Sequence, residues 1–246
     1  RCETSFVMNH PNPKEALEDH WKTWIQPDDI RWLKNHGIDV VRIPIPWWLF
    51  PDQFPSEYPY VSPIDYLDQA IDFIHQEGMK IMLDLHTAPG SQNGFDNGGI
   101  DGVLSWHLDS KNIDVTLDVL EAIARRYGHH PALHSLQVLN EPHWTIDLSI
   151  MQSFYLRAYN RLRPILPDTV TIVFHDSFRF EPWKEFFTVN PMKNVMLDTH
   201  RYQCFSEIFQ TMNATDFLNY PESIVPELTD METVIPVCIG EWSLGA

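Results

Sequence analysis

Two periodicities alternate along this chain. Short apolar runs rich in β-branched residues are followed by longer stretches whose apolar positions recur at helical spacing. The spacing predicts a helix from Pro27 to His36, ended by Gly37, and then a buried strand, "IDVVRIPI", from Ile38 to Ile45. Ser62 and Pro63 read as an N-cap with proline at the first helical position. Ile64, Leu67, Ile71 and Ile74 follow on one face, and Gly78 closes that helix. "MKIMLDL", Met79 to Leu85, is the next strand. Helices are then expected over Asp114 to Tyr127 and Ile150 to Ile165, with strands at Leu133 to Leu139, Val170 to Phe174, Asn194 to Leu197 and Val234 to Ile239.

Alternation of this kind, without repeats, linkers or low complexity, predicts one α/β domain over residues 1–246 built on a parallel sheet. An open doubly wound sheet is the rival. It usually carries a Gly-rich phosphate loop, and neither GxGxxG nor GxxxxGK[ST] occurs. Polar residues follow the strands instead. Arg42 lies in the first run, His86 follows "LDL", Asn140 and Glu141 follow "LQVL", His175 and Asp176 follow "TIVF", His200 follows "MLDT", and Glu241 follows "VCIG". Polar groups gathered at the C-terminal ends of several strands mark the active-site mouth of a (β/α)₈ TIM barrel. Six strands are legible where a closed barrel has eight, so the expectation is a barrel lacking its first and last strands, incomplete at both ends.

Charge narrows the partners. With 17 basic against 34 acidic side chains, the net charge is −17 and a phosphate backbone would be repelled, so no nucleic-acid partner is expected. No stretch approaches the roughly 20 apolar residues that span a bilayer, so no membrane partner is expected either. Nine Trp could offer platforms to sugar rings, but burial trends assign most of them, Trp47 and Trp48 included, to the core. Three cysteines without a CxxC give neither a disulfide framework nor a zinc ribbon.

Two glutamates carry the chemistry. Glycoside hydrolysis needs two carboxyl groups flanking one bond, and a barrel converges its strand ends on one pocket. Asn140-Glu141-Pro142 sets an uncharged donor beside an acid. Gly240-Glu241-Trp242 sets a carboxylate beside an indole. Each motif alone could be a solvated strand end; the pair, with Arg42 and two histidines placed likewise, points to a glycosidase. A metal hydrolase is the first rival, raised by twelve histidines, yet no HxH or HExxH occurs, and His130 and His134 belong where a helix meets a strand. No GxSxG supports a serine hydrolase. A non-catalytic carbohydrate-binding protein is the remaining alternative.

The stretches "VVRIPIPWWLF", "LDLHTAPGSQNGFDNGG", "LQVLNEP", "LDTHRYQCF" and "IGEWS" resemble glycoside hydrolase family 5, the cellulase family, most closely its exo-β-1,3-glucanase and β-glucosidase members. The resemblance implies a retaining enzyme of the glucan 1,3-β-glucosidase type, with β-1,6-glucanase and aryl or steryl β-glucosidase action as alternatives. It implies Glu141 as general acid/base, protonated at rest, and Glu241 as nucleophile, kept ionised by Arg42. It implies that Asn140 holds the sugar 2-hydroxyl, that His86, His200 and Tyr202 line the subsite, that Phe95 and Phe205 pair at the entrance, and that Asp96 and Asn97 contact sugar. Trp242 lies beside the nucleophile as a platform. Arg201 stands where a second histidine is common. No metal or organic cofactor is expected. The implied partner is a β-glucan oligosaccharide or β-glucoside, the implied state a monomer, and the implied location secreted or at the cell surface, with a cytoplasmic one left open.

Overall fold

The computed structural model describes residues 2–243. Three helices come first: α1 (Glu3–Asn9), α2 (Pro13–Thr23) and α3 (Pro27–Asn35). Strands and helices then alternate as β1 (Val40–Ile45), α4 (Ile64–Gln76), β2 (Lys80–Leu85), α5 (Ser110–Tyr127), β3 (Leu133–Gln137), α6 (Leu148–Leu162), β4 (Thr171–His175), α7 (Pro182–Val189), β5 (Val195–Tyr202), α8 (Ala214–Glu232) and β6 (Val237–Ser243). The six strands form one sheet in chain order, every neighbouring pair parallel. Strict sequential order fits right-handed crossovers that keep the helices on one face, which curls a sheet toward a barrel, whereas a doubly wound sheet reverses its order. The curl is visible in one contact. Arg42 on edge strand β1 reaches Glu241 on edge strand β6 at 2.7 Å.

The helix-facing side of the sheet is apolar. Ile81, Leu83 and Leu85 alternate along β2 and are fully buried, with Leu67, Ile71 and Ile74 of α4 and Leu117, Leu120 and Ile123 of α5 in the same core. The inner face is polar: Arg42, Asp84, Gln137 and Asp198 project into it from β1, β2, β3 and β5 and join one another by hydrogen bonds and ion pairs. This polar lining explains two displaced boundaries. The apolar run of β5 stops at Leu197, yet the strand continues to Tyr202, because Asp198, His200 and Tyr202 point inward while Arg201 turns out to Glu227 on α8. β6 likewise runs to Ser243, past the expected end at Ile239.

Three helices escape the apolar pattern. α1 and α2 precede the barrel units, and α8 contains Pro221 and Pro226 and buries only Met231. A capping box fixes the start of α8, with Asn213 Oδ1 accepting from Asp216 N and Asp216 returning to Asn213 N. At α4 the cap shifts by one residue. Pro63 occupies the cap position, and Ser62 Oγ accepts from Ile64 N while donating to Leu49 O. Trp47 and Trp48 are core, as expected.

Candidate active site

β6 carries one extra residue. Thr199 pairs with Ile239 and His200 with Glu241, so Gly240 bulges between them. A side chain there would meet the Asp198 carboxylate at 2.4 Å, so glycine is required by space. Gly240 N donates to Asp198 Oδ1 at 2.7 Å. Glu241 then faces inward, opposite His200.

Glu241 is held from two sides. Arg42 Nη1 donates to its Oε1 at 2.7 Å and the Tyr202 hydroxyl to its Oε2 at 2.8 Å. Arg42 spends its other donors on Asn140 Oδ1 (2.7 Å), Gln137 Oε1 (3.1 Å) and the Asp84 carboxylate (3.1 Å). Burial opposes the Arg42 charge, but Asp84 and Glu241 hold its pKa above the ordinary value. Burial and the hydrogen bond to Glu241 push Tyr202 up, keeping its hydroxyl a donor.

Glu141 sits just past β3 with φ +45°, a backbone region that costs a non-glycine residue about 1–3 kcal/mol and persists where the surroundings enforce it. They do here: Asn140 N donates to Leu85 O at 2.9 Å, and Gln92 Nε2 clamps Asn140 O and His86 O. The Glu141 carboxylate accepts from Asn97 Nδ2 at 2.9 Å and faces His200 Nδ1 at 2.7 Å. His200 Nε2 faces Asp198 Oδ2 at 3.2 Å. Both imidazole nitrogens thus meet carboxylates, and despite burial the pKa of His200 rises to about 9. Burial alone would raise Glu141, but the His200 cation and the Asn97 bond hold it down at about 2. These shifts run against the expectation of a protonated resting Glu141 and favour the proton on His200, within hydrogen-bond reach of Glu141.

The same nitrogen measures the two carboxylates. Glu241 Oε2 lies 3.6 Å from His200 Nδ1. His86 completes the cluster, its Nδ1 on Asp84 at 2.6 Å and its Nε2 3.4 Å from Asn140 Nδ2. Asp84, Gln137 and Asp198 are functional positions that sequence reading missed. A signal existed: an acid inside an apolar strand two residues before a histidine occurs twice, as Asp84-Leu85-His86 and Asp198-Thr199-His200.

The remaining expected residues divide. Asn97 joins the site by bonding Glu141 rather than standing free for sugar, and Asp96 beside it is exposed. Phe95 and Phe205 do not meet; Phe95 touches His143 and Trp144, while Phe205 touches Tyr202. Trp242 points the wrong way for a platform, since strand alternation after Glu241 sends it to the outer face, where it is 67% exposed. Arg201 is outside too, so the missing second histidine leaves this inner cluster untouched. His130 and His134 lie at the start of β3, away from the mouth.

Among the described residues one set of side chains could hold a metal: Glu141, His175 and His200 each bring a ligand atom within 4.8 Å of the others. Their chemistry fits a proton better. His200 is spoken for by two carboxylates, and His175, pushed down to about 3 by burial and the His200 charge, accepts from Ser177 N at 2.9 Å.

The chain resembles known proteins in sequence and in fold. It is 37% identical over 235 residues to a glucan 1,3-beta-glucosidase of Blumeria graminis, covering 92% of this chain and 53% of that protein. It is 36% identical over 199 residues to the Schwanniomyces occidentalis enzyme of the same name, covering 78% and 46%. The chain thus spans about half the length of these relatives. The crystal structure of rutinosidase from Aspergillus niger shares the fold, with a TM-score of 0.82 at 23% identity over 100% of this chain and 72% of that one. The family model for cellulase, glycosyl hydrolase family 5, matches residues 8–246. Six sequential parallel strands with their polar groups at one mouth are a large part of that family's barrel, and the chain belongs to glycosyl hydrolase family 5.

Proposed function

We propose that the protein is a retaining β-glycoside hydrolase of β-glucans or β-glucosides, acting as an exo-β-1,3-glucanase, with Glu141 as acid/base and Glu241 as nucleophile. One observation carries the reading. Both carboxylates face His200 Nδ1, at 2.7 and 3.6 Å. The sum of those distances, an upper limit on the separation of the two oxygens, falls short of the roughly 6.5–9.5 Å that leaves room for water in inversion. The names of the relatives support the glucan as substrate.

In the first step Glu241 bonds to the anomeric carbon as the glycosidic bond breaks. The departing oxygen takes the proton that His200 passes through Glu141. In the second step Glu141 draws a proton from water, whose oxygen displaces Glu241, and the proton returns to the Glu141–His200 pair. Arg42 offsets the charge of Glu241 before it is esterified and again as the carboxylate departs, while the Tyr202 hydroxyl donates to it. Asn140, its Oδ1 fixed by Arg42 and one Nδ2 proton turned to His86, has its second Nδ2 proton for a sugar hydroxyl.

The test is product analysis by proton NMR on β-1,3-, β-1,4- and β-1,6-linked oligosaccharides. β-Glucose released first from the β-1,3 substrate is expected. Initial α-glucose would overturn retention, and preferred cleavage of another linkage would overturn the β-1,3 assignment.

A further inference from the structure

Glu141 is connected to α1 through three residues of one loop. The long connection from β2 to α5 contains a 3₁₀ turn, Asp96–Gly98. Asn97 Nδ2 in that turn donates to Glu141 Oε2 at 2.9 Å, while His200 Nδ1 faces Oε1 at 2.7 Å. The carboxyl group is thus held at both oxygens, and its orientation depends on where Asn97 stands.

The loop is anchored at its foot and at its tip. Gln92 clamps the foot, its side-chain amide donating to the carbonyls of His86 and Asn140. Thr4 of α1 ties the tip. It donates twice to Gly99 O, from its hydroxyl at 2.6 Å and from its backbone N at 3.2 Å. A hydroxyl has one proton, and Thr4 gives its proton to Gly99, so the Tyr60 hydroxyl that meets Thr4 Oγ1 is the donor of that pair. Tyr60 is itself fixed, its ring stacked on Trp48 with centroids 3.8 Å apart. Thr4 is buried, so these bonds are shielded from water.

The tip passes this anchor on to Asn97. Gly99 stands at φ +90°, and a Cβ there would lie 3.3 Å from the Trp48 ring. Gly98 has no room for a side chain, since a Cβ would meet Asn93 Oδ1 at 2.4 Å. Asn93 Nδ2 in turn donates to Asn97 Oδ1 at 3.0 Å. Residues 97 to 99 are therefore packed as one piece. Asn93 belongs to the same loop, so it fixes Asn97 within the loop and not the loop against the barrel. Thr4 supplies that second restraint. We propose that Thr4 is a positioning residue for the acid/base: by clasping Gly99 O it holds the loop tip where Asn97 orients the Glu141 carboxyl group. The proposal rests on reading Glu141 as the acid/base and adds a support that lies outside the sheet.

Kinetics on the full chain test it with two substrates. Phenyl β-glucoside needs its leaving group protonated, and 2,4-dinitrophenyl β-glucoside does not. Thr4→Val removes the hydroxyl at nearly constant shape, whereas Thr4→Ser keeps it. In Thr4→Val, kcat/KM for the phenyl substrate is expected to fall about tenfold relative to the dinitrophenyl one, the size of a lost hydrogen bond. Thr4→Ser is expected to restore the wild-type ratio. A merely structural loss lowers both substrates alike, so an unchanged ratio in Thr4→Val overturns the proposal. If Thr4→Val fails to fold, Tyr60→Phe decides in the same way, because it keeps the ring on Trp48 and removes only the donor to Thr4. The contact is also read without turnover. By NMR, the side-chain amide resonance of Asn97 is expected to shift in Thr4→Val and to return in Thr4→Ser; an unmoved resonance overturns the support. Glu141→Ala on the same two substrates judges the reading beneath. Equal losses there sink the acid/base assignment instead, and the Asn97 resonance still judges the support.

Discussion

The two glutamates occupy unlike ground. Glu141 follows a central strand, with β2 on one side and β4 on the other, and its side chain is 8% exposed. Glu241 lies on an edge strand with only β5 beside it among the described residues, and its side chain is 19% exposed. The first is governed by protonation: an imidazolium, a carboxamide and a strained backbone set where one proton rests. The second is governed by position: an arginine and a tyrosine aim it across the barrel. One half of the site controls a charge and the other controls a direction.

Removing each glutamate probes this contrast most severely. Glu241→Ala is expected to abolish turnover on every glycoside, since no other carboxylate reaches its place. Glu141→Ala is expected to lose roughly 10²–10⁴-fold on poor leaving groups, less on activated aryl glycosides, with azide restoring rate. Steady-state kinetics on both substrate classes separates the two; equal losses would erase the distinction.

Asp198 tests the charge side from behind. It accepts from His200, Gln137 and Gly240 and is fully buried. Asp198→Asn leaves His200 without its second counter-charge and is expected to cost about 3 kcal/mol or more of stability. Urea unfolding reads this, and a loss under 1 kcal/mol would show the inner network to be loosely coupled.

A smaller effect is expected in pH. Because His200 holds the proton to about 9, kcat/KM is expected to fall only above that pH. In His200→Gln the proton must sit on Glu141 alone, raised by burial but without the cation, so the alkaline limb moves toward the carboxyl range. An unmoved limb would remove His200 from the proton path. Stability follows the same groups. The His200 contribution is whole below roughly pH 6.5, its unfolded value, and fades as pH rises through about 9. That of Glu141 is whole above roughly pH 4.3 and fades as pH falls toward about 2.

The smallest effect belongs to Trp242→Ala. An indole on the outer face is expected to leave affinity for the sugar unchanged, and a raised KM would return it to the site.

The strands were legible because most carry a run of helix-facing apolar residues, as Ile81, Leu83 and Leu85 do on β2. The inner face was hard to read for a physical reason: its residues pair with one another. Asp198, His200 and Tyr202 look like loop in a run of letters, because nothing local reveals that each meets a partner 39 or more positions away, as Tyr202 meets Glu241. Trp242 misled for the opposite reason. It adjoins Glu241 in sequence, and in a strand adjacent residues face opposite sides. α8 stayed hidden because its two prolines argue against a helix that its capping box nevertheless begins.

Gly240 can be understood as an insertion in the reading frame of the sheet. Without it, Glu241 would follow Ile239 and still stand opposite His200 on the inner face, so the extra residue is not what aims its carboxylate. What it adds is one amide, delivered to Asp198. Its deletion is therefore expected to leave both glutamates in place while weakening the anchor behind His200.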